Sequence, residues 1–159
     1  MRSVFLTCCR RRWRSGSDVE LTLLLADAAQ ADQHGKVHAL GLAWTNVPTP
    51  TPPMAVIVLI DFEADEVPAS VSLRIELQTE AGEVVVLAGG EPVRINAAAT
   101  AHALDEEKAG EQIRVPFSIQ IGPGLPLPVG LYQFEATAVR DDDDNARAAA
   151  FQKVRVSEE

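Results

Sequence analysis

The sequence predicts an all-β fold, an antiparallel β-sandwich of seven to nine strands, because apolar and polar residues alternate along several short segments. Successive side chains of a strand point to opposite faces, so each such segment builds one apolar and one solvated face. Proline- and glycine-rich stretches separate these segments, as turns do in a sandwich. No amphipathic helical period lies between them, which argues against an α/β fold.

The N-terminal third gives the weakest signal. Residues 20–26 alternate weakly and are compatible with a strand, whereas residues 27–33 consist largely of helix formers and tolerate a helical turn. Residues 36–46 alternate again, and the small residues on one side of this segment indicate close approach of another backbone or sheet. The opposite side of the segment carries His38, Leu40, Leu42 and Trp44.

The middle of the chain predicts three strands. Residues 54–62 are apolar at nearly every position, so both faces need cover, as in a central strand or at a subunit contact. Residues 71–78 alternate strictly and predict a strand with one solvated face. Residues 83–87 predict the next strand, after a turn in which Gly82 supplies the positive φ of a tight hairpin.

The C-terminal half predicts four more strands. They cover residues 92–101, 112–121, 131–140 and 147–156. Pro116 interrupts the second of them, which predicts an edge strand or a bulge. Tyr132 lies at the start of the third, after a proline–glycine turn. Greek-key sandwiches often place a tyrosine there, with its hydroxyl bonded to the upstream backbone.

The segments between the strands have the composition of turns and loops. Residues 48–53 and 122–130 are rich in proline and predict irregular, extended connections. Residues 105–111 predict a solvated loop. Residues 141–145, four aspartates and an asparagine, predict an exposed hairpin tip that discourages edge pairing.

The net charge of −9 is unevenly distributed along the chain. Residues 1–17 contain five arginines and no acid, so the rest of the chain holds all 23 acidic residues and nine of the 14 lysines and arginines. Because nucleic-acid binding needs cations that neutralise phosphates, we expect no nucleic acid on the domain body. The chain has no run of 18 apolar residues, so we also expect no membrane span, and we expect a cytoplasmic protein.

We interpret residues 1–18 as a disordered basic tail or a mis-called start, and residues 19–157 as a single β-sandwich domain. In a secretory signal the basic residues precede the apolar run, whereas most of the arginines here follow Val4-Phe5-Leu6. A basic arm for a membrane or for nucleic acid is the alternative interpretation of this tail.

The spacing of reactive residues predicts no catalytic or zinc site. The three histidines, His34, His38 and His102, are not accompanied by a GxSxG motif. A separation of four residues aligns His34 and His38 on a helix but not on a strand. Cys8 and Cys9 are the two cysteines of the chain, too few thiols for a structural zinc site.

Two other segments of the sequence are candidate ligand sites. Asp141, Asp143 and Asn145 match the first ligand positions of an EF-hand loop, but Ala146 and Gln152 stand where that loop needs Gly and Glu. An irregular calcium site at this tip stays open as an alternative. Trp44 is a candidate platform for a sugar, although the neighbouring leucines favour a core position. Carboxylate pairs such as Asp61 with Glu63 are expected to be solvated.

Leu23–Gly41, LLLADAAQADQHGKVHALG, and Gly130–Phe134, GLYQF, resemble a family of short, uncharacterised bacterial proteins that is common in high-GC actinobacteria. The resemblance covers most of residues 19–156. It implies an immunoglobulin-like sandwich and a native start near Val19. It implies no known active site, and so no functional residue.

From the residues we assign no catalytic, cofactor-binding or metal-ligating position, and we expect a non-enzymatic protein without a cofactor. The function predicted is an interaction or structural module with an unknown protein partner. A second copy of the chain is one such partner, joined through residues 54–62. The alternatives are an accessory (decoration-type) protein of a phage or bacterial particle and a weak calcium- or sugar-binding sandwich.

Overall fold

The computed structural model describes residues 19–32, 34–102 and 112–158, and it confirms the all-β prediction. These residues contain ten strands in three sheets and a 3-10 turn at Ala64–Glu66. The strands are β1 Glu20–Ala26, β2 Ala28–Ala31, β3 Val37–Leu40, β4 Asn46–Pro48, β5 Met54–Glu63, β6 Ala69–Thr79, β7 Arg94–Ala101, β8 Gln112–Ile121, β9 Gly130–Arg140 and β10 Arg147–Ser157. The predicted tail at 1–18 and the predicted loop at 105–111 lie outside the described residues.

Two large sheets pack face to face as a sandwich. One has three strands in the order β1-β5-β8, and the other has five in the order β4-β10-β9-β6-β7. All pairs within them are antiparallel except β4 with β10, which is parallel. The third sheet is the hairpin β2-β3. The immunoglobulin-like strand order stays a prediction.

The main core lies between the two large sheets and is built by every second residue of the long strands. The inward side of β5 contributes Val56, Val58 and Ile60, and that of β6 contributes Val71 and Leu73, all buried. Burying side chains of this size is the dominant favourable contribution to folding. The strict alternation in β6 therefore places its intervening polar residues on the outer face of the five-stranded sheet.

Strand β5 is the central strand that the apolar run predicts, and both of its faces are covered. Its outward Ala55 and Ile57 are buried together with Ala26, and residues of the hairpin β2-β3 pack against them. The covering layer belongs to the same chain, so the burial on two sides does not require a subunit contact.

Two short strands account for the count above the predicted seven to nine. Ala28–Ala31 forms β2, where the sequence tolerates a helical turn, because this segment pairs with β3 in the register Ala29↔Ala39. Tertiary pairing here overrides the helix propensity of alanine. Asn46–Pro48 forms β4 at the edge of the five-stranded sheet.

The predicted strand at residues 83–87 is reduced to two isolated bridges, Gln78↔Val84 and Val86↔Pro92. The turn before it is confirmed, since Gly82 has a φ of 81° and its N–H donates to the carbonyl of Thr79 at 2.9 Å. A second turn brings the Leu87 N–H within 2.9 Å of the carbonyl of Glu91, so the segment folds back before a ladder can extend.

Three local predictions in the C-terminal half are confirmed. Among the described strands β8 pairs with β5 alone, so Pro116 lies on an edge strand. The Tyr132 hydroxyl donates to the carbonyl of Pro128 at 2.9 Å, which is the expected tyrosine corner. Asp141–Asn145 connects β9 to β10 and is exposed.

The part of the chain that the structure describes contains no helix with the length and apolar character needed to cross a membrane.

Candidate functional site

A groove of about 520 Å³ lies on the outer face of the three-stranded sheet, where the hairpin β2-β3 leaves part of that face uncovered. Its floor is apolar and consists of Leu24 from β1 and of Ile57 and Leu59 from β5. Ile57 is buried, whereas the two leucines keep intermediate exposure. The groove therefore presents apolar surface to solvent at a position that is built from regular strands.

The register of the sheet determines this floor. Leu24 lies opposite Ile57, and Leu59 lies opposite Pro116 of β8. Because side chains of a strand alternate between faces, Leu24, Ile57 and Leu59 share the outer face with Asp61, two residues further along β5. Asp61 pairs in register with Arg114, so an ion pair closes one end of the apolar floor.

The hairpin β2-β3 forms one wall of the groove and is attached to the sheet beneath it. The Ala31 N–H donates to the Ser118 hydroxyl at 3.1 Å, and the Gln120 side-chain amide donates to the carbonyl of Ala29. Val37 and Ala39 of β3 point toward the sheet and line the groove. The small size of the residues on this side of the segment predicts close approach of another sheet, and that prediction is confirmed.

The chain leaves the hairpin through a tight contact at Gly41. Its φ is 62°, and a Cβ at this position would lie 1.9 Å from Oδ2 of Asp27. The same carboxylate accepts a hydrogen bond from Nε1 of Trp44 at 2.7 Å. Glycine is thus required here both by the backbone conformation and by the space that Asp27 occupies.

The turn between β2 and β3 is organised by Asp32. Its Oδ1 accepts the backbone N–H groups of His34 and Lys36 at 2.8 and 2.9 Å. These bonds, that from Lys36 first, hold the pKa of Asp32 below its usual value. Lys36 and His38 follow directly and line the groove, with Nε2 of His38 3.8 Å from Oδ2 of Asp32.

Arg114 lies at the end of the floor and is held by Asp61. Its Nε and Nη2 donate to the two carboxylate oxygens at 2.6 and 2.8 Å. The carboxylate raises the pKa of the guanidinium, chiefly through these hydrogen bonds. Asp61 is 5% exposed, which corrects the expectation that it is solvated. The pairing could not be read from the sequence, because Asp61 and Arg114 are far apart along the chain and meet through strand register.

The rim of the groove contains two cations, Lys36 and Arg114. Lys36, His38 and Arg114 line it, and of the described residues that line it none is an aspartate or a glutamate. This contrasts with the chain as a whole, whose net charge is −9. The arrangement combines an apolar floor with a cationic edge, which suits binding and orientation of a ligand and places no pair of reactive groups over the floor.

The histidines and carboxylates that the sequence singles out are dispersed. His34, His38 and His102 are exposed. Within residues 19–32, 34–102 and 112–158, no three His, Cys, Asp or Glu side chains cluster closely enough to hold a metal ion.

Three carboxylates of the acidic tip accept hydrogen bonds from other groups of the same chain. Asp141 accepts a hydrogen bond from the Ser72 hydroxyl at 2.9 Å, and Asp143 accepts one from the Asn145 N–H at 2.9 Å. Asp142 accepts two from Arg140 at 2.9 Å, and this pairing lowers the pKa of Asp142. The tip is thus ordered by internal contacts.

Trp44 is half-buried and packs against the main core, although not for the expected reason. Leu40 and Leu42, which share its side in the sequence pattern, are 72% and 52% exposed. The alternation is broken at Gly41, whose positive φ turns the chain, so the pattern on one side of the turn does not continue on the other. Leu42 lines the groove.

Comparisons with known proteins return a family and no characterised relative. A family model described as a family of unknown function, DUF6941, matches residues 21–151. No curated protein and no solved structure matches the chain.

Proposed function

The chain belongs to this family of unknown function, DUF6941, and we propose from its geometry that it is a non-catalytic binding module whose site is the groove on the three-stranded sheet. The observation that carries the proposal is the combination of an exposed apolar floor with a cationic rim on one face. The uncharacterised family that the sequence resembles agrees with this match, and its actinobacterial distribution stays a prediction.

The dimensions of the groove support binding of a small molecule. Ligand sites typically enclose about 300–1,000 Å³ and combine apolar walls with a few polar groups that fix orientation. The groove has about 520 Å³, six apolar lining side chains and three basic ones. Covering the half-exposed Leu24 and Leu59 would remove apolar surface from water, which favours association.

The groove is also formed before any ligand arrives. Its floor belongs to two paired strands, and its wall is attached to β8 through Ser118 and Gln120. A preformed site spends little free energy on ordering its own side chains and loops, so more of the contact energy contributes to affinity.

The test is a fragment screen followed by methyl NMR on the full chain. Fragments are expected to shift the methyl signals of Leu24, Ile57 and Leu59. The substitution Leu59→Gln is expected to weaken the binding of these fragments at least tenfold. Leu131→Gln is the matched control, because Leu131 has the same intermediate exposure on the outer face of the five-stranded sheet. The proposal fails if no fragment shifts these methyls, or if both variants affect binding equally.

Self-association is a second candidate function, favoured by the exposure of Leu40 and Leu42 beside the groove. Size-exclusion chromatography with light scattering would show a dimer that Leu40→Ser with Leu42→Ser converts to a monomer. A monomer at high concentration in the unmodified chain would reject this candidate.

A further inference from the structure

We infer that the ligand of the groove is an amphiphilic carboxylate, a small molecule with an aliphatic body on the leucine floor and an anionic head at the basic rim. The inference rests on the proposed function, since it names the chemical class that the same groove would take. It is carried by the placement of Lys36, His38 and Arg114 around Leu24, Ile57 and Leu59.

The charge of the lining is the first argument. The chain has 23 acidic against 14 basic residues, so a surface chosen at random is expected to be acidic. The described lining nevertheless contains a lysine, an arginine and a histidine and no acidic residue. An anionic group placed there is attracted, whereas a cationic group of the same size is repelled.

The acidic residues near the rim are already engaged. Asp61 holds Arg114 through two hydrogen bonds, and Asp32 accepts two backbone N–H groups and lies 3.8 Å from His38. Neither carboxylate is among the described residues that line the groove. Asp61 accepts hydrogen bonds from Nε and Nη2 of Arg114, and neither bond involves Nη1.

The shape of the apolar floor is the second argument. Leu24 and Ile57 lie opposite each other on paired strands, and Leu59 follows Ile57 on the same face of β5 toward Arg114. The apolar strip thus runs along the strand and ends at Arg114, whose guanidinium is bound by Asp61. An aliphatic chain that ends in a carboxylate has the same order of apolar and charged groups.

The experiment titrates the full chain with decanoate and follows the methyl signals of the floor, at concentrations where light scattering shows no micelles. Decan-1-ol and decyltrimethylammonium are the matched probes, with the same chain and a neutral or cationic head. Decanoate is expected to bind at least tenfold more tightly than the cation. Octanoate, which has two CH₂ groups fewer, is expected to bind about fifteenfold more weakly than decanoate, because each buried CH₂ changes affinity about fourfold.

Lys36→Glu separates the charge contribution from the apolar one. Lys36 is exposed, so the change is not expected to perturb the fold, and it should weaken decanoate binding about fivefold or more and leave decan-1-ol unaffected. Lys153→Glu on the five-stranded sheet is the control, since Lys153 is also exposed and the net charge changes by the same amount.

Each outcome decides between the inference and the proposed function. Equal or tighter binding of decyltrimethylammonium at the floor overturns the inference and leaves the groove as a binding site. Equal binding of decan-1-ol and decanoate, together with no effect of Lys36→Glu, also overturns the inference and leaves the groove as a binding site. Binding of decanoate that survives Leu59→Gln places the ligand elsewhere and overturns the inference. Absence of methyl shifts with all three probes overturns it as well, and the fragment screen then decides the proposed function separately.

Discussion

On the outer face of the five-stranded sheet, polar side chains pair across neighbouring strands, whereas on the outer face of the three-stranded sheet a hairpin of the same chain covers apolar side chains. On the first face Arg94 donates to Glu76 at 2.6 Å, and Gln78 donates to Glu135. On the second face Ala55 and Ile57 are buried beneath β2 and β3. Both sheets bury their inner faces in one core, so the difference lies entirely in how each treats its second side.

The comparison shows how a binding groove can arise in a sandwich. A face on which polar residues pair across strands satisfies those polar groups within the sheet. A face covered by an added hairpin leaves a groove wherever the hairpin is shorter than the strands beneath it. Here β2 and β3 have four residues each and β5 has ten, so the hairpin does not extend over the whole of β5 and Leu59 keeps intermediate exposure.

The largest expected difference between the two faces concerns their ion pairs. Arg114→Met leaves the carboxylate of Asp61, which is 5% exposed, without its partner. We expect a loss of about 3 kcal/mol in the free energy of unfolding, at the low end for a buried pair because half of the Arg114 side chain is exposed. Arg94→Met on the polar face should cost about 1 kcal/mol. Urea denaturation of both variants measures the two losses.

A double variant sharpens this comparison. Asp61→Leu with Arg114→Met removes both charges and extends the apolar floor, so most of the lost stability should return. Similar losses for Arg114→Met and Arg94→Met, or no recovery in the double variant, would contradict the view that Asp61 depends on Arg114 for burial.

The sequence predicts the two faces unequally well. The polar face is predictable because β6 alternates strictly, so each outward residue can be read from its position. The apolar run of 54–62 likewise predicts that β5 is covered on both sides. The covering element could not be predicted, since residues 28–31 are mostly alanine, which favours helix locally and becomes a strand by pairing with β3.

The candidate site depends on register, which the sequence does not specify. Asp61 and Arg114 each stand in an alternating or apolar strand, but their meeting requires the pairing of β5 with β8 to be known to within one residue. The same holds for Leu24 opposite Ile57. Residue type alone predicts Asp61 as solvated, and the partner across the strand is what makes its burial tolerable.

A smaller difference in lost stability is expected between alanine substitutions at two glycines with positive φ. Gly41→Ala places a Cβ 1.9 Å from the carboxylate of Asp27, whereas Gly90→Ala meets nothing within 4 Å in a turn that leads into the five-stranded sheet. Both changes are expected to lower the free energy of unfolding by about 1 kcal/mol, because a residue other than glycine is strained at positive φ. Gly41→Ala should cost about 1–2 kcal/mol more, because Asp27 must move away from Trp44.

Thermal denaturation gives the stability of each glycine variant, and tryptophan fluorescence in a Trp13→Phe background reports the environment of Trp44. A shift in emission is expected for Gly41→Ala and not for Gly90→Ala. Equal destabilisation with unchanged fluorescence would show that the close contact between Gly41 and Asp27 does not fix the path of the chain after β3.

The smallest expected effect separates two carboxylates whose pKa values are lowered for different reasons. The pKa of Asp142, at the tip beside the five-stranded sheet, is lowered by the Arg140 guanidinium, and that of Asp32, in the hairpin turn, is lowered chiefly by the backbone N–H of Lys36. A lowered pKa in the folded state means that each group contributes stability above its unfolded pKa. That contribution is lost as the pH falls through the lower folded value.

In Arg140→Gln the pKa of Asp142 should rise toward 3.8 while that of Asp32 does not change, as carboxyl NMR titration would show. Movement of both values would mean that long-range charge, rather than local hydrogen bonding, sets the acidity of the hairpin turn, and an unchanged Asp142 would remove Arg140 as the cause at the tip.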